Sequence, residues 1–296
     1  MTIQKIKTNF FIGIAKLIAK LPLVVIIFLG KIIGYLTWAI PNKRKKIARR
    51  NIELCFPDLE QNQQKSLLKA NLISTGIGFS EMLIAYWSKD KKFIGDFEFS
   101  GLQHVHTALT KGKGCILMSC HLHTIELASR AINIKLEKPS FILGRQHNNK
   151  VFEALIDKAR RAHCEKTIDK KDLRSVLKAL KNNRCIFYIP DQNFSYQCEY
   201  IDFFKQPAAT VIAPVRIAQS SSASVVPWFC FREKGKWVIQ FLPALEYFHQ
   251  NDISNSLLKM NQLFELQIKK HPEQYLWVHR RFKNHPKGKN YLYKDL

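Results

Sequence analysis

No two cysteines in this 296-residue chain stand at C-x-x-C spacing, and the seven present are scattered from Cys55 to Cys230. An odd, dispersed set of this kind fits reduced thiols in a cytosol-facing compartment. Internal repeats, low-complexity linkers and a second-domain boundary are also missing, so one globular domain with appendages is expected. Acidic side chains are scarce, with 23 Asp and Glu against 47 Lys and Arg, a formal charge of +24. Such an excess points to anionic partners. No helix-turn-helix, zinc-finger or RRM signature accompanies it, so the charge alone does not make a nucleic-acid-binding protein.

The longest apolar stretch is N-terminal, from Phe10 to Ile40, interrupted by Lys16, Lys20 and Lys31. Within it, Leu21 to Ile40 approaches the roughly 20 apolar residues a spanning helix needs, with Lys31 able to snorkel. Tyr35, Trp38 and then the basic run Asn42 to Arg50 follow. An apolar segment, aromatic belt and basic cluster in that order predict a membrane helix with the rest of the chain on the cytoplasmic side. No small-residue cleavage site follows, so a removed signal peptide is not expected. A buried helix of a soluble protein is the competing reading.

A turn at Pro57 and Asp58 leads into helical sequence through about Trp87. From Phe97 the pattern changes, and FEFSG, GCILMSC, SFILG and CIFYIP are continuous apolar runs expected of buried strands. Between them Phe152, Leu155, Ile156 and Ala159 recur at helical spacing, as do Leu173, Val176, Leu177 and Leu180 behind an Asp172 cap. SASVVPWFCFR and KWVIQFLPA form a strand pair across EKGK, and Ile253 to Ile268 marks one more amphipathic helix. The expected fold is α/β: a single mixed-sheet domain flanked by helices (42–296), with residues 1–41 as an N-terminal membrane anchor.

At the end of the second strand, SCHLHTIELASR places Cys120, His121, His123 and Glu126 close together. On one continuous helix His121 and Glu126 would point about 140° apart. They meet only if His121 lies on the entering loop and Glu126 on the first helical turn. That arrangement suits a general base with its carboxylate orienter, taking a proton from an alcohol that attacks an acyl carbonyl. A metal site from Cys120, His121 and His123 is crowded and lacks a second ligand pair at zinc spacing. A packing role for the histidines also stays open.

CHLHTIELASRAI resembles the H-x-x-x-x-[DE] block of the lysophospholipid acyltransferase superfamily, and more narrowly of the late acyltransferases of lipid A assembly. The narrower likeness extends along nearly the whole chain through RKKIARRNIELCFPDL, GRQHNNK, KDLRSVLKALK, IPDQN and PEQYLWVHRRFKNHPKG. The resemblance implies transfer of a fatty acyl chain from acyl carrier protein to a hydroxyacyl hydroxyl of a Kdo-bearing lipid A precursor, in the bacterial inner membrane with the site facing the cytoplasm. Carried over, His121 is the base and Glu126 its carboxylate, and Arg145 and Asn149 bind substrate. Asp191 is a strand-end acid expected to orient Arg145 or another cation. No metal or redox cofactor is expected beyond the carrier-protein thioester as co-substrate. Arg280 and Arg281 are expected to contact anionic headgroups, against the alternative of a solvated basic tail. Acylation of a glycerophospholipid is the rival within the superfamily, and a basic nucleic-acid-binding protein the rival outside it.

Overall fold

A computed structural model of the chain describes residues 3–144 and 150–296. Four helices come first, α1 (Ile3–Ile18), α2 (Leu23–Ala39), α3 (Lys43–Cys55) and α4 (Gln61–Trp87). Alternation follows: β1 (Phe97–Ser100), α5 (Gln103–Thr110), β2 (Cys115–Met118), α6 (Ile125–Lys135), β3 (Phe141–Gly144), α7 (Lys150–Arg160), β4 (Lys166–Asp169), α8 (Leu173–Lys181) and β5 (Cys185–Tyr188). The chain closes with a hairpin of β6 (Cys198–Phe203) and β7 (Gln206–Val211), then α9 (Ala213–Ser221), β8 (Ser224–Glu233), β9 (Lys236–Phe241) and α10 (Ile253–Lys270).

Seven strands form one sheet in the order β1-β9-β8-β2-β5-β3-β4, parallel at every pairing except β8 with β9. That pair is joined by a two-residue turn with positive φ at both Lys234 and Gly235, the geometry that matches the twist of a tight hairpin. Successive residues of the central strands enter opposite halves of the core. Ile116, Met118, Ile186, Tyr188 and Phe229 pack with Val176, Leu180 and Phe264 on one side. Leu117, Cys185, Phe187, Val226 and Trp228 pack with Val105, Leu127 and Ala131 on the other. Both faces are covered, which is why these strands read as unbroken apolar runs. The mixed α/β sheet flanked by helices agrees with the expectation.

The N-terminus departs from it. Pro22 and Pro41 bracket α2, limiting it to 17 residues, about 26 Å, short of a hydrocarbon core of about 30 Å. Among the described residues no single helix is long and apolar enough to cross a membrane; only α2 with α3, bent by 84°, pass that test together. Asn42 makes the bend by accepting a hydrogen bond from the Lys45 N–H at 2.8 Å and starting a new helix. Helix α2 also packs closely on α4 through glycines. A Cβ on Gly76 would lie 2.3 Å from the Gly30 carbonyl oxygen and 2.5 Å from the Gly34 nitrogen.

Gly76→Val is therefore expected to destabilise the chain in detergent by about 1–3 kcal/mol, measured by chemical denaturation. Gly13→Ala, where an added Cβ meets nothing within 4 Å, should be neutral or stabilising. Equal effects at the two positions would refute the close α2–α4 approach.

Candidate active site

Strands β2 and β5 are parallel neighbours with Met118 opposite Tyr188. His121 and Asp191 lie at the same offset, three residues beyond those partners, so equal advance along adjacent strands brings them together. Asp191 is 1% exposed. Its Oδ1 accepts from His121 Nδ1. Its Oδ2 accepts from the His121 backbone N–H at 2.9 Å and from the Tyr275 hydroxyl at 2.9 Å. Burial alone raises its carboxyl pKa, but the charge on His121 and these hydrogen bonds outweigh it and hold the pKa at about 2. An ionised carboxylate only accepts, so Nδ1 carries a ring proton, and in the neutral imidazole Nε2 is then the nitrogen with the lone pair. The amide nitrogen of Gln192 stands 3.0 Å from that Nε2.

Asp191 thus occupies the place expected for Glu126. Glu126 does sit in the first turn of α6, but its carboxylate is held by Arg160, from Nη2 and from Nε at 3.2 Å. Burial raises the Glu126 pKa, while the Arg160 charge and hydrogen bonds from Arg160 and Tyr86 bring the net value below the ordinary one. Two causes direct this choice. His121 is locked to Asp191 by both its backbone and its ring, and a guanidinium fork is a stronger partner for a carboxylate than a neutral imidazole. Arg160 had no signal in the sequence beyond its place at the end of an amphipathic helix.

The remaining residues of the cluster diverge. Cys120 is buried, which pushes its thiol pKa up. The His123 ring lies between Ser74 Oγ, 2.8 Å from Nδ1, and Thr75 Oγ1, 3.1 Å from Nε2. Among the described residues no three metal-ligating side chains gather. The loop is instead held by the C-terminal segment: Leu122 bridges Tyr275, the His123 N–H donates to Gln274 O at 2.9 Å, and the Leu276 N–H donates to His121 O at 3.0 Å. Asn71 on α4 clamps that segment by donating to the carbonyls of Glu273 and Tyr275, and Asn51 on α3 to those of Trp277 and His279. Tyr275 therefore belongs to the site, and its signal was its place in PEQYLWV.

Arg281 corrects an expectation. It is 2% exposed and donates to Ala209 O and Thr210 Oγ1, both at 2.9 Å, which removes it from any headgroup. Stacking on Phe203 completes its burial. Arg280 is half-buried, donates to Asn290 Oδ1 at 3.2 Å and to Leu296 O at 3.0 Å, and still lines the cavity at the site. Arg145 and Asn149 lie outside the described residues.

His121, Gln192, Glu126 and Arg160 open on a cavity of about 1130 Å³. Its inner wall is apolar, with Ile156, Phe187 and Trp228 buried among the lining residues. Toward solvent it carries Lys43, Arg44, Arg280 and Lys283. A long apolar chain with an anionic head matches both ends.

Three imidazoles around this site are held neutral. Burial, reinforced by Arg232, lowers the pKa of His123 well below the ordinary value. Burial also lowers those of His163 and His279, each to about 4. A lowered imidazole pKa gives stability that is complete above the unfolded value of about 6.5 and is lost as pH falls below it. Each group should contribute up to about 1.4 kcal/mol per pH unit of that loss. Denaturation midpoints between pH 7 and 5 check this, and a flat profile would contradict neutral burial.

The family model for bacterial lipid A biosynthesis acyltransferases matches residues 2–284. A lipid A biosynthesis lauroyltransferase of Escherichia coli is 30% identical over 282 residues, covering 94% of this chain and 91% of that protein. The palmitoleoyltransferase of the same organism is 29% identical over 97% of this chain and 94% of its own length. The myristoyltransferase is 21% identical over 88% and 82%. The match runs through α2, the β2–α6 loop, the β5 end and the segment that covers the dyad, and the chain belongs to the bacterial lipid A biosynthesis acyltransferase family.

Proposed function

We propose that this chain transfers a fatty acyl group from an acyl carrier protein thioester to a hydroxyl on a hydroxyacyl chain of a Kdo-bearing lipid A precursor. The observation that carries the reading is a His–Asp dyad whose Nε2, met by the Gln192 amide, faces a cavity apolar inside and cationic at its rim. Asp191 fixes the tautomer of His121, leaving Nε2 to take the proton of the acceptor hydroxyl. The oxygen then attacks the thioester carbonyl. Collapse of the tetrahedral intermediate forms the ester and expels the carrier thiolate, which takes the proton back from His121. These steps need no metal or redox group.

Glu126 acts by holding Arg160 in the cavity wall. Lys43, Arg44 and Arg280 are placed to meet anionic groups of the acceptor, and Arg145 and Asn149 keep the substrate-binding role that the resemblance implies. A charge of +24 favours both an acidic carrier protein and an anionic lipid. The exposed apolar side chains Phe10, Leu17, Val24, Phe28 and Leu36 on α1 and α2 support attachment at the cytoplasmic face of the inner membrane.

The test is to weigh the lipid product after incubating purified protein in detergent with carrier-protein thioesters of several lengths and a Kdo-bearing tetraacyl precursor. Wild type should add one acyl mass. His121→Ala and Asp191→Asn should lower kcat on the order of 10²–10⁴-fold. Transfer at the wild-type rate by His121→Ala would sink the base assignment, and acylation of a lysophospholipid alone would move the acceptor to glycerolipids.

A further inference from the structure

A base and a nucleophile do not complete acyl transfer, because the carbonyl oxygen becomes an anion in the intermediate and needs a donor. Four backbone N–H groups of the loop that carries the base are already engaged. That of His121 donates to Asp191, that of Leu122 to Cys120 O, that of His123 to Gln274 O and that of Ile125 to Leu122 O. Arg160 is held by Glu126. The side chain that meets the reacting end of His121 is Gln192, in the IPDQN stretch, whose amide nitrogen lies 3.0 Å from His121 Nε2. In the neutral imidazole with Nδ1 donating to Asp191, Nε2 offers a lone pair that accepts from the NH₂ of Gln192.

This NH₂ stands where the acceptor hydroxyl must arrive. We infer that Gln192 is a catalytic residue: at rest it caps the base, and when the hydroxyl displaces it the freed NH₂ donates to the oxygen of the tetrahedral intermediate. The inference rests on the acyl-transfer reading above.

The surroundings suit such a swing. The backbone after Gln192 is pinned: the Asn193 N–H donates to His279 Nε2 at 3.2 Å, Asn193 Oδ1 accepts from the Asn284 N–H at 2.9 Å, and Phe194 O accepts from Asn284 Nδ2 at 2.6 Å. The half-buried Gln192 side chain lines the cavity and has three rotatable bonds. Its amide therefore moves by rotamer change on a fixed loop, staying within reach of the atoms around Nε2. Donation to the intermediate adds no proton transfer to the reaction: the amide keeps both hydrogens, and the thiolate still leaves with the proton held by His121.

The test uses full-length protein in detergent with two readouts. In the first, Gln192→Ala and Gln192→Glu should lower kcat for acyl transfer on the order of 10²–10³-fold, with KM for donor and acceptor changed less than about threefold. Unchanged kcat, or a loss confined to KM, would overturn the inference. The second needs no turnover: diethyl pyrocarbonate modification of His121, followed by peptide mass spectrometry. Gln192→Ala should be modified faster than wild type at His121, because the cap on the lone pair is gone. An unchanged rate would overturn the capping contact even if the acceptor proved to be another lipid, whereas a wild type that acylates nothing would sink the acyl-transfer reading and this inference with it.

Discussion

A buried carboxylate survives only where donors surround it, and Asp191 collects its donors from separate parts of the chain: the backbone and ring of His121 after β2, and the hydroxyl of Tyr275 in the C-terminal segment. Asp191 itself follows β5. Removing any one of these contributors leaves the others facing an unbalanced charge inside the protein. The central sheet, the loop before α6 and the chain after α10 are thus held to one arrangement by a single acid. The orientation of the imidazole is a product of that arrangement, because the bond that satisfies Asp191 is the same bond that fixes a proton on Nδ1.

Four of the arginines are turned inward. Arg232 pairs with Glu81, Arg130 with Asp90 and Arg160 with Glu126, and Arg281 is satisfied by backbone and hydroxyl oxygens. Burial holds His123 neutral, and its position next to the first of these pairs reinforces this, since Arg232 also reaches Ser74, the partner of His123. Fixed interior cations raise the cost of protonating nearby imidazoles. The cations at the cavity rim are of another kind, set near solvent.

The N-terminal helices bring apolar surface to the same molecule. Gly30 and Gly34 of α2 let its backbone touch α4 at Gly76, so one face of α2 is bound to the domain while Val24, Phe28 and Leu36 point outward. Since α4 also supplies Asn71, which clamps the segment carrying Tyr275, the apolar surface and the His121 loop share one support.

The strands and amphipathic helices were legible in the sequence because burial on two faces or on one stripe imposes its own period, and β2, β5, α8, α10 and the β8–β9 hairpin lie where those periods place them. The β6–β7 hairpin was not, because its turn puts Phe204 and Lys205 at positive φ without a glycine, held by Glu265 accepting from the Phe204 N–H at 2.8 Å. His121 on a loop and Glu126 in the first turn of a helix followed from the strand boundary and the spacing between them. Which carboxylate reaches the imidazole did not follow, since that depends on β5 lying beside β2 in a particular register and on Arg160 claiming Glu126. Arg281 was misplaced for the same reason, since a charge in the sequence carries no mark of the carbonyls that will bury it. By itself the sequence determined the layered α/β pattern, the loop position of His121 and the family likeness, all consequences of local period and residue order; the partners of each charged group were decided only by tertiary structure, because strand order and helix packing bring together residues that the chain keeps dozens of positions apart.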